Sequence, residues 1–115
     1  MNKMVELFDD FITKAIVMTE NIMVEDYKDS NRLSEFTQNR ERLMAIIEQI
    51  SMQIQWDEVS LENRHEIDRK IEFIKKIDVQ LLTLLQEHKE EIRTEIEQTF
   101  KQKENIKGYN LTDVK

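Results

Sequence analysis

The sequence predicts an all-α protein: an antiparallel up-down bundle of three long helices, the last of them overlong. Three observations carry this. Proline is absent and glycine occurs once, at Gly108, so the strongest breakers of regular structure are missing from almost the whole chain. Apolar residues recur every three or four positions along three stretches, the spacing of one helix face. The two polar interruptions between those stretches are short, and short links join antiparallel neighbours. The 115 residues fit a single domain, 1–115. With 39% hydrophobic and 36% charged residues, each helix has a wet outer face and an apolar face that must meet another.

The first helix is expected over about 3–25. Its apolar residues, among them Val5, Phe8, Ile12, Ala15, Ile16 and Ile22, spread over about half the circumference at ~100° per residue, wide enough for two neighbours. The polar link 26–31 follows, with Ser30 or Asn31 as candidate N-cap. The second helix is expected over about 32–55. Its stripe is Leu33, Phe36, Arg40, Leu43, Ile47, Ile50 and Ile54, in alternating steps of three and four that suit near-parallel packing. A turn at 56–60 offers Asp57 and Ser60 as caps. The third helix is expected over about 61–107, before a tail at 108–115. Its stripe is Ile67, Ile71, Ile74, Asp78, Leu81 and Leu85, widened by Ile77, Leu82 and Leu84. Glu66/Lys70, Glu72/Lys76 and Glu97/Lys101 have the favourable i,i+4 order. Unbroken, this helix would run roughly 70 Å, against about 35 Å for each of the others. Its second half therefore projects, folds back as a fourth helix, or pairs with another chain.

Charge narrows the partners. The net charge is −7, from 17 basic and 24 acidic residues. Residues 1–59 hold 6 Lys/Arg and 12 Asp/Glu (−6), and residues 60–115 hold 11 and 12 (−1). Nucleic acid calls for a clustered basic face and an anionic membrane for a basic amphipathic one, so neither is an expected partner. The sequence has no cysteine and therefore neither a disulfide framework nor a thiolate metal site. The start, Met1-Asn2-Lys3-Met4, lacks the basic region of a signal peptide, and the cytoplasm is the expected location.

Catalytic chemistry finds little to work with. Glu62-Asn63-Arg64-His65 has E-x-x-H spacing, but a di-iron bundle needs two such motifs and two further carboxylates. The other histidine, His88, has Leu85 where the glutamate would stand. His65 reads as a solvated side chain, and no metal, cofactor or enzymatic activity is expected.

Two charges interrupt otherwise apolar stripes. In a hairpin turning near Val59, Arg40 and Asp78 lie the same distance either side of the turn and should face each other. The pair reads as a structural ion pair that fixes register, since burying one charge alone is costly. Methionine is concentrated early, at Met1, Met4, Met18 and Met23, with Met44 and Met52 later. It reads first as core filling and second as an adaptable binding surface. Past Leu85, the sparser apolar residues Ile92, Ile96, Phe100 and Ile106, with Tyr109 and Leu111 in the tail, form the candidate partner-binding ridge. Uncovered apolar patches mark contact sites.

Several stretches resemble the FliT family of flagellar type III export chaperones. Asn39-Arg40-Glu41-Arg42-Leu43 is similar to that family's E-R-x-x-L region. The run from Ile74 to Leu85 (IKKIDVQLLTLL) resembles its I-x-x-L-D-x-x-L-x-x-L-L third helix. Lys103-Glu104-Asn105-Ile106-Lys107-Gly108-Tyr109 resembles its lysine-rich close. The resemblance covers about Ser34 to Asn110. It implies a cytoplasmic chaperone that shields the filament-cap protein before export and contacts the flagellar export ATPase complex, with relatives that bind a transcription regulator. The chain departs from the family in having no helix break before its C-terminal segment. A FlgN-like chaperone for hook-filament junction proteins, a coiled-coil adaptor and a homodimer remain open beside it.

Overall fold

Three helices form where the apolar periodicity places them. The structure, a computed structural model, describes residues 2–24 and 26–107, with side chains as far as Gln98. Helix α1 spans Lys3–Val24, α2 spans Ser30–Met52 and α3 spans Leu61–Lys107, with one-turn 3-10 helices at Asp26–Lys28 and Trp56–Glu58. No strand occurs among the described residues. Asn2 Oδ1 accepts from the Met4 amide at 2.8 Å and caps α1.

Asp29, not Ser30 or Asn31, is the N-cap of α2. Its carboxylate accepts from the amides of Asn31 and Arg32, at 2.9 and 3.1 Å. A carboxylate beside the positive end of the helix dipole is a favourable cap, and it moves the helix start two residues ahead of the expected one. The far end stops at Met52, with Gln53 as C-cap, short of the expected residue 55. Ser60 caps α3, its Oγ accepting from the Asn63 amide at 3.2 Å. Asp57 instead lies within the second 3-10 turn.

Helix α1 is the centre of the bundle. It runs parallel to α3 and antiparallel to α2, and it packs closely against both, whereas α2 and α3 barely approach each other along their backbones. The antiparallel α2–α3 hairpin expected from the short turn is present, with its two helices held apart by α1. Because the apolar face of α1 is so wide, Phe8, Ile12 and Ala15 wedge between the other two helices and meet Leu43, Ile47 and Ile50 of α2 and Ile67, Ile74 and Ile77 of α3 in one core. Trp56 closes the lower end, edge-on to Phe8 with centroids 5.1 Å apart, its indole N–H donating to the Ser51 carbonyl at 3.2 Å. At the upper end Tyr27 meets His88 edge-on at 6.3 Å.

Helix α3 continues without a break to Lys107. The molecule measures 72 × 23 × 21 Å, so within the described residues the third helix projects, and the broken, folded-back alternative is not what the fold adopts. Two of the expected i,i+4 pairs give way to other partners. Lys70 Nζ donates to Asp9 Oδ1 at 2.8 Å and to Thr13 Oγ1 at 3.0 Å across the α1–α3 seam, rather than pairing with Glu66. Glu72 pairs with Lys75 at 3.5 Å rather than with Lys76, and the third expected pair, Glu97/Lys101, involves a lysine side chain outside the described residues. Far-UV circular dichroism is expected to show well over half helix, against a typical third for ordinary domains. A value below one half would contradict the architecture.

Candidate protein-docking site

Arg40 and Asp78 stand opposite one another on α2 and α3. Arg40 Nη1 and Nη2 donate to Asp78 Oδ1 and Oδ2 at 2.8 and 2.6 Å, a two-pronged pair. Nη1 also donates to Thr19 Oγ1 of α1 at 2.8 Å, and that hydroxyl donates to the Ala15 carbonyl at 2.8 Å. One guanidinium thus ties all three helices together. The Arg40 side chain is 16% exposed and that of Asp78 38%, so the arginine bears the greater desolvation. Its Nε is buried without a hydrogen-bond partner among the described residues. Thr19, wholly buried, was not singled out in the sequence. The signal was present: a hydroxyl at helical spacing from Ala15 and Ile22 on an apolar face, where the arginine needs an acceptor.

The ion pair sits at the lip of a groove. Because α1 holds α2 and α3 apart, a trough of about 660 Å³ opens between them. Phe8 and Ile12 form its floor, Met44, Ile47 and Met52 one wall, and Ile71 and Ile74 the other. Glu41 and Glu48 stand on the α2 rim, exposed and without an ion-pair partner among the described residues. The methionines divide by location. Met4, Met18 and Met23 pack against the core, whereas Met44 and Met52 line the groove, the second 75% exposed. Core filling thus describes Met4, Met18 and Met23, and the later pair faces the groove.

The ridge continues this groove. Along α3, Ile71, Ile74, Asp78, Leu82, Leu85, Lys89, Ile92 and Ile96 follow one another in steps of three or four, which keeps them on one face. Leu82, Ile92 and Ile96 are 65, 42 and 49% exposed. Of the expected ridge residues, the structure therefore places Ile92 and Ile96 in the open on the projecting half. Phe100 and Ile106 lie on α3, but their side chains are outside the described residues, as are Tyr109 and Leu111 altogether. From Ile71 to Ile96 the strip is about 38 Å long at 1.5 Å per residue. The back of the projecting half is acidic, with Glu87, Glu90 and Glu91.

His65 is exposed, and no group of three or more His, Cys, Asp or Glu suited to a metal ion occurs among the described residues. No helix among them is long and apolar enough to cross a membrane. No protein family model, curated protein or solved structure matches the chain. The class that the fold defines is an all-α bundle of three helices with an open groove between the second and third.

Proposed function

We propose that the protein is a cytoplasmic export chaperone that binds an amphipathic helical segment of the filament-cap protein and keeps it shielded until export. The observation that carries the reading is the largely apolar strip on α3, interrupted by Asp78 and Lys89, walled by α2 in its lower half and open in its upper half. A client helix laid along it would bury the exposed side chains, each gaining about 1.5–3 kcal/mol when fully covered. Helix-in-groove recognition uses anchors at this i, i+3, i+4, i+7 spacing. Ordering a flexible client offsets part of the gain, so the affinity expected is micromolar. The resemblance to FliT chaperones supplies the client's identity and adds the export ATPase complex as a second partner.

Calorimetry with the C-terminal segment of the same organism's filament-cap protein tests this. One binding site per chain is expected. Met44→Glu, a charge set into the groove wall, is expected to weaken binding about tenfold or more, equivalent to ~1.4 kcal/mol. Absence of binding to the full chain would count against the chaperone reading. Binding of a hook-filament junction protein in its place would shift the client to the FlgN type.

A further inference from the structure

We infer that Met44 and Met52 form a reversible oxidation site, at which a peroxide turns the wall of the groove from apolar to polar and leaves the core intact. The site stands on exposure and position alone; its consequence for a partner rests on the client reading proposed above.

Most of the groove's apolar surface lies too deep to be reached. Phe8, Ile12, Ile47 and Ile74 line it at 5% exposure or less, because they belong to the core shared by all three helices. Ile71 is half-buried. Among the described residues, the large apolar side chains that both line the groove and stand exposed are Met44, at 37%, and Met52, at 75%. Both are on α2, about two turns apart. What the groove offers to a molecule in solution is therefore largely thioether.

Two further observations set these sulfurs apart. The chain has no cysteine, so no thiolate competes for an oxidant. Met4, Met18 and Met23 are half-buried against the core, where packing restricts an oxidant's approach. Met1 lies outside the described residues.

The chemistry balances with hydrogen peroxide alone. A sulfur lone pair attacks one peroxide oxygen, and the S–O bond forms as the O–O bond breaks. The proton on the transferred oxygen passes to the departing hydroxide, which leaves as water. Sulfur is oxidised by two electrons and the peroxide is reduced by two. A methionine sulfoxide reductase reverses the step with two thiols, which become a disulfide while the oxygen leaves as water. The sulfoxide is a polar, chiral side chain. Water can solvate it at the exposed positions 44 and 52, so the fold is kept. The same change at Met18 or Met23 would set a polar atom against the core, at a cost to stability.

Limited treatment of the full chain with hydrogen peroxide, followed by peptide mass spectrometry, reads the order of oxidation. Met52 and then Met44 should each gain one oxygen several-fold faster than Met4, Met18 and Met23. Comparable rates at the core methionines would overturn the site. The chain oxidised at both groove positions should keep its circular dichroism and elute earlier from a hydrophobic-interaction column run under native conditions. The double variant Met44→Leu, Met52→Leu, whatever its own elution, should not shift on the same treatment. An equal shift in that variant, or loss of helix in the oxidised chain, would overturn the inference. In calorimetry with the filament-cap segment, oxidation should weaken binding about tenfold, and a methionine sulfoxide reductase with its thiol should restore it. Unchanged affinity of the oxidised chain would overturn the effect on the partner. Absence of binding before any oxidation would count against the client reading instead, and the oxidation rates and the elution shift would still decide the oxidation site.

Discussion

Phe8→Ala is expected to lower the unfolding free energy by about 3–5 kcal/mol, the cost of truncating a buried aromatic. Phe8 is 4% exposed and holds three things at once. It wedges α1 between α2 and α3, it packs edge-on against Trp56, and it floors the groove. No neighbouring side chain can collapse into the space without narrowing the groove, so the cavity term should be near its full value. A domain of this size has a total stability of about 5–15 kcal/mol, so the loss is a large part of it. Urea denaturation followed by circular dichroism measures the effect. A loss below about 1 kcal/mol would mean that the α2–α3 spacing does not depend on the wedge.

The second large effect is asymmetric. Asp78→Ala should cost about 2–3 kcal/mol, below the 3–5 kcal/mol of a fully buried broken pair because Asp78 is partly wet. It strands a guanidinium that is only 16% exposed and leaves it Thr19 alone as a partner. Arg40→Ala should cost less, about 1 kcal/mol, since Asp78 can turn to water and Thr19 keeps its bond to the Ala15 carbonyl. Replacing both by leucine should be near neutral, as apolar replacements of buried pairs often are. Equal costs for the two single substitutions, measured by chemical denaturation, would contradict the assignment of the arginine as the desolvated partner.

The ion pair shows what was legible in the sequence. Two charges in stripes of strict helical spacing, equidistant from one turn, fix a register before any packing is known. The three spans were legible for the same reason: the periods persist, and proline is absent. The spacing between helices was not legible. Period and turn length set which residues of α2 and α3 are level, but their separation is set by the bulk of Phe8 and Ile12 of α1, a long-range effect with no local signature. The groove followed from that separation, so Met44, Met52, Glu41 and Glu48 could not be read as a site. Half of the ridge could: Ile92 and Ile96 stand exposed as a surplus beyond the shorter helices. The cap of α2 was misplaced because Ser30 and Asn31 are also cap formers. Asp29 takes the position since the carboxylate reaches two amides at once.

The central claim, that this bundle binds a partner helix along the α2–α3 groove and the adjoining face of α3, is tested most directly by amide chemical-shift mapping during titration with the filament-cap segment. Shifts concentrated at Met44, Glu48, Ile71, Leu82, Ile92 and Ile96 are the predicted result. Shifts confined to the outer face of α1, around Leu7 and Val17, with the groove unperturbed, would contradict the claim.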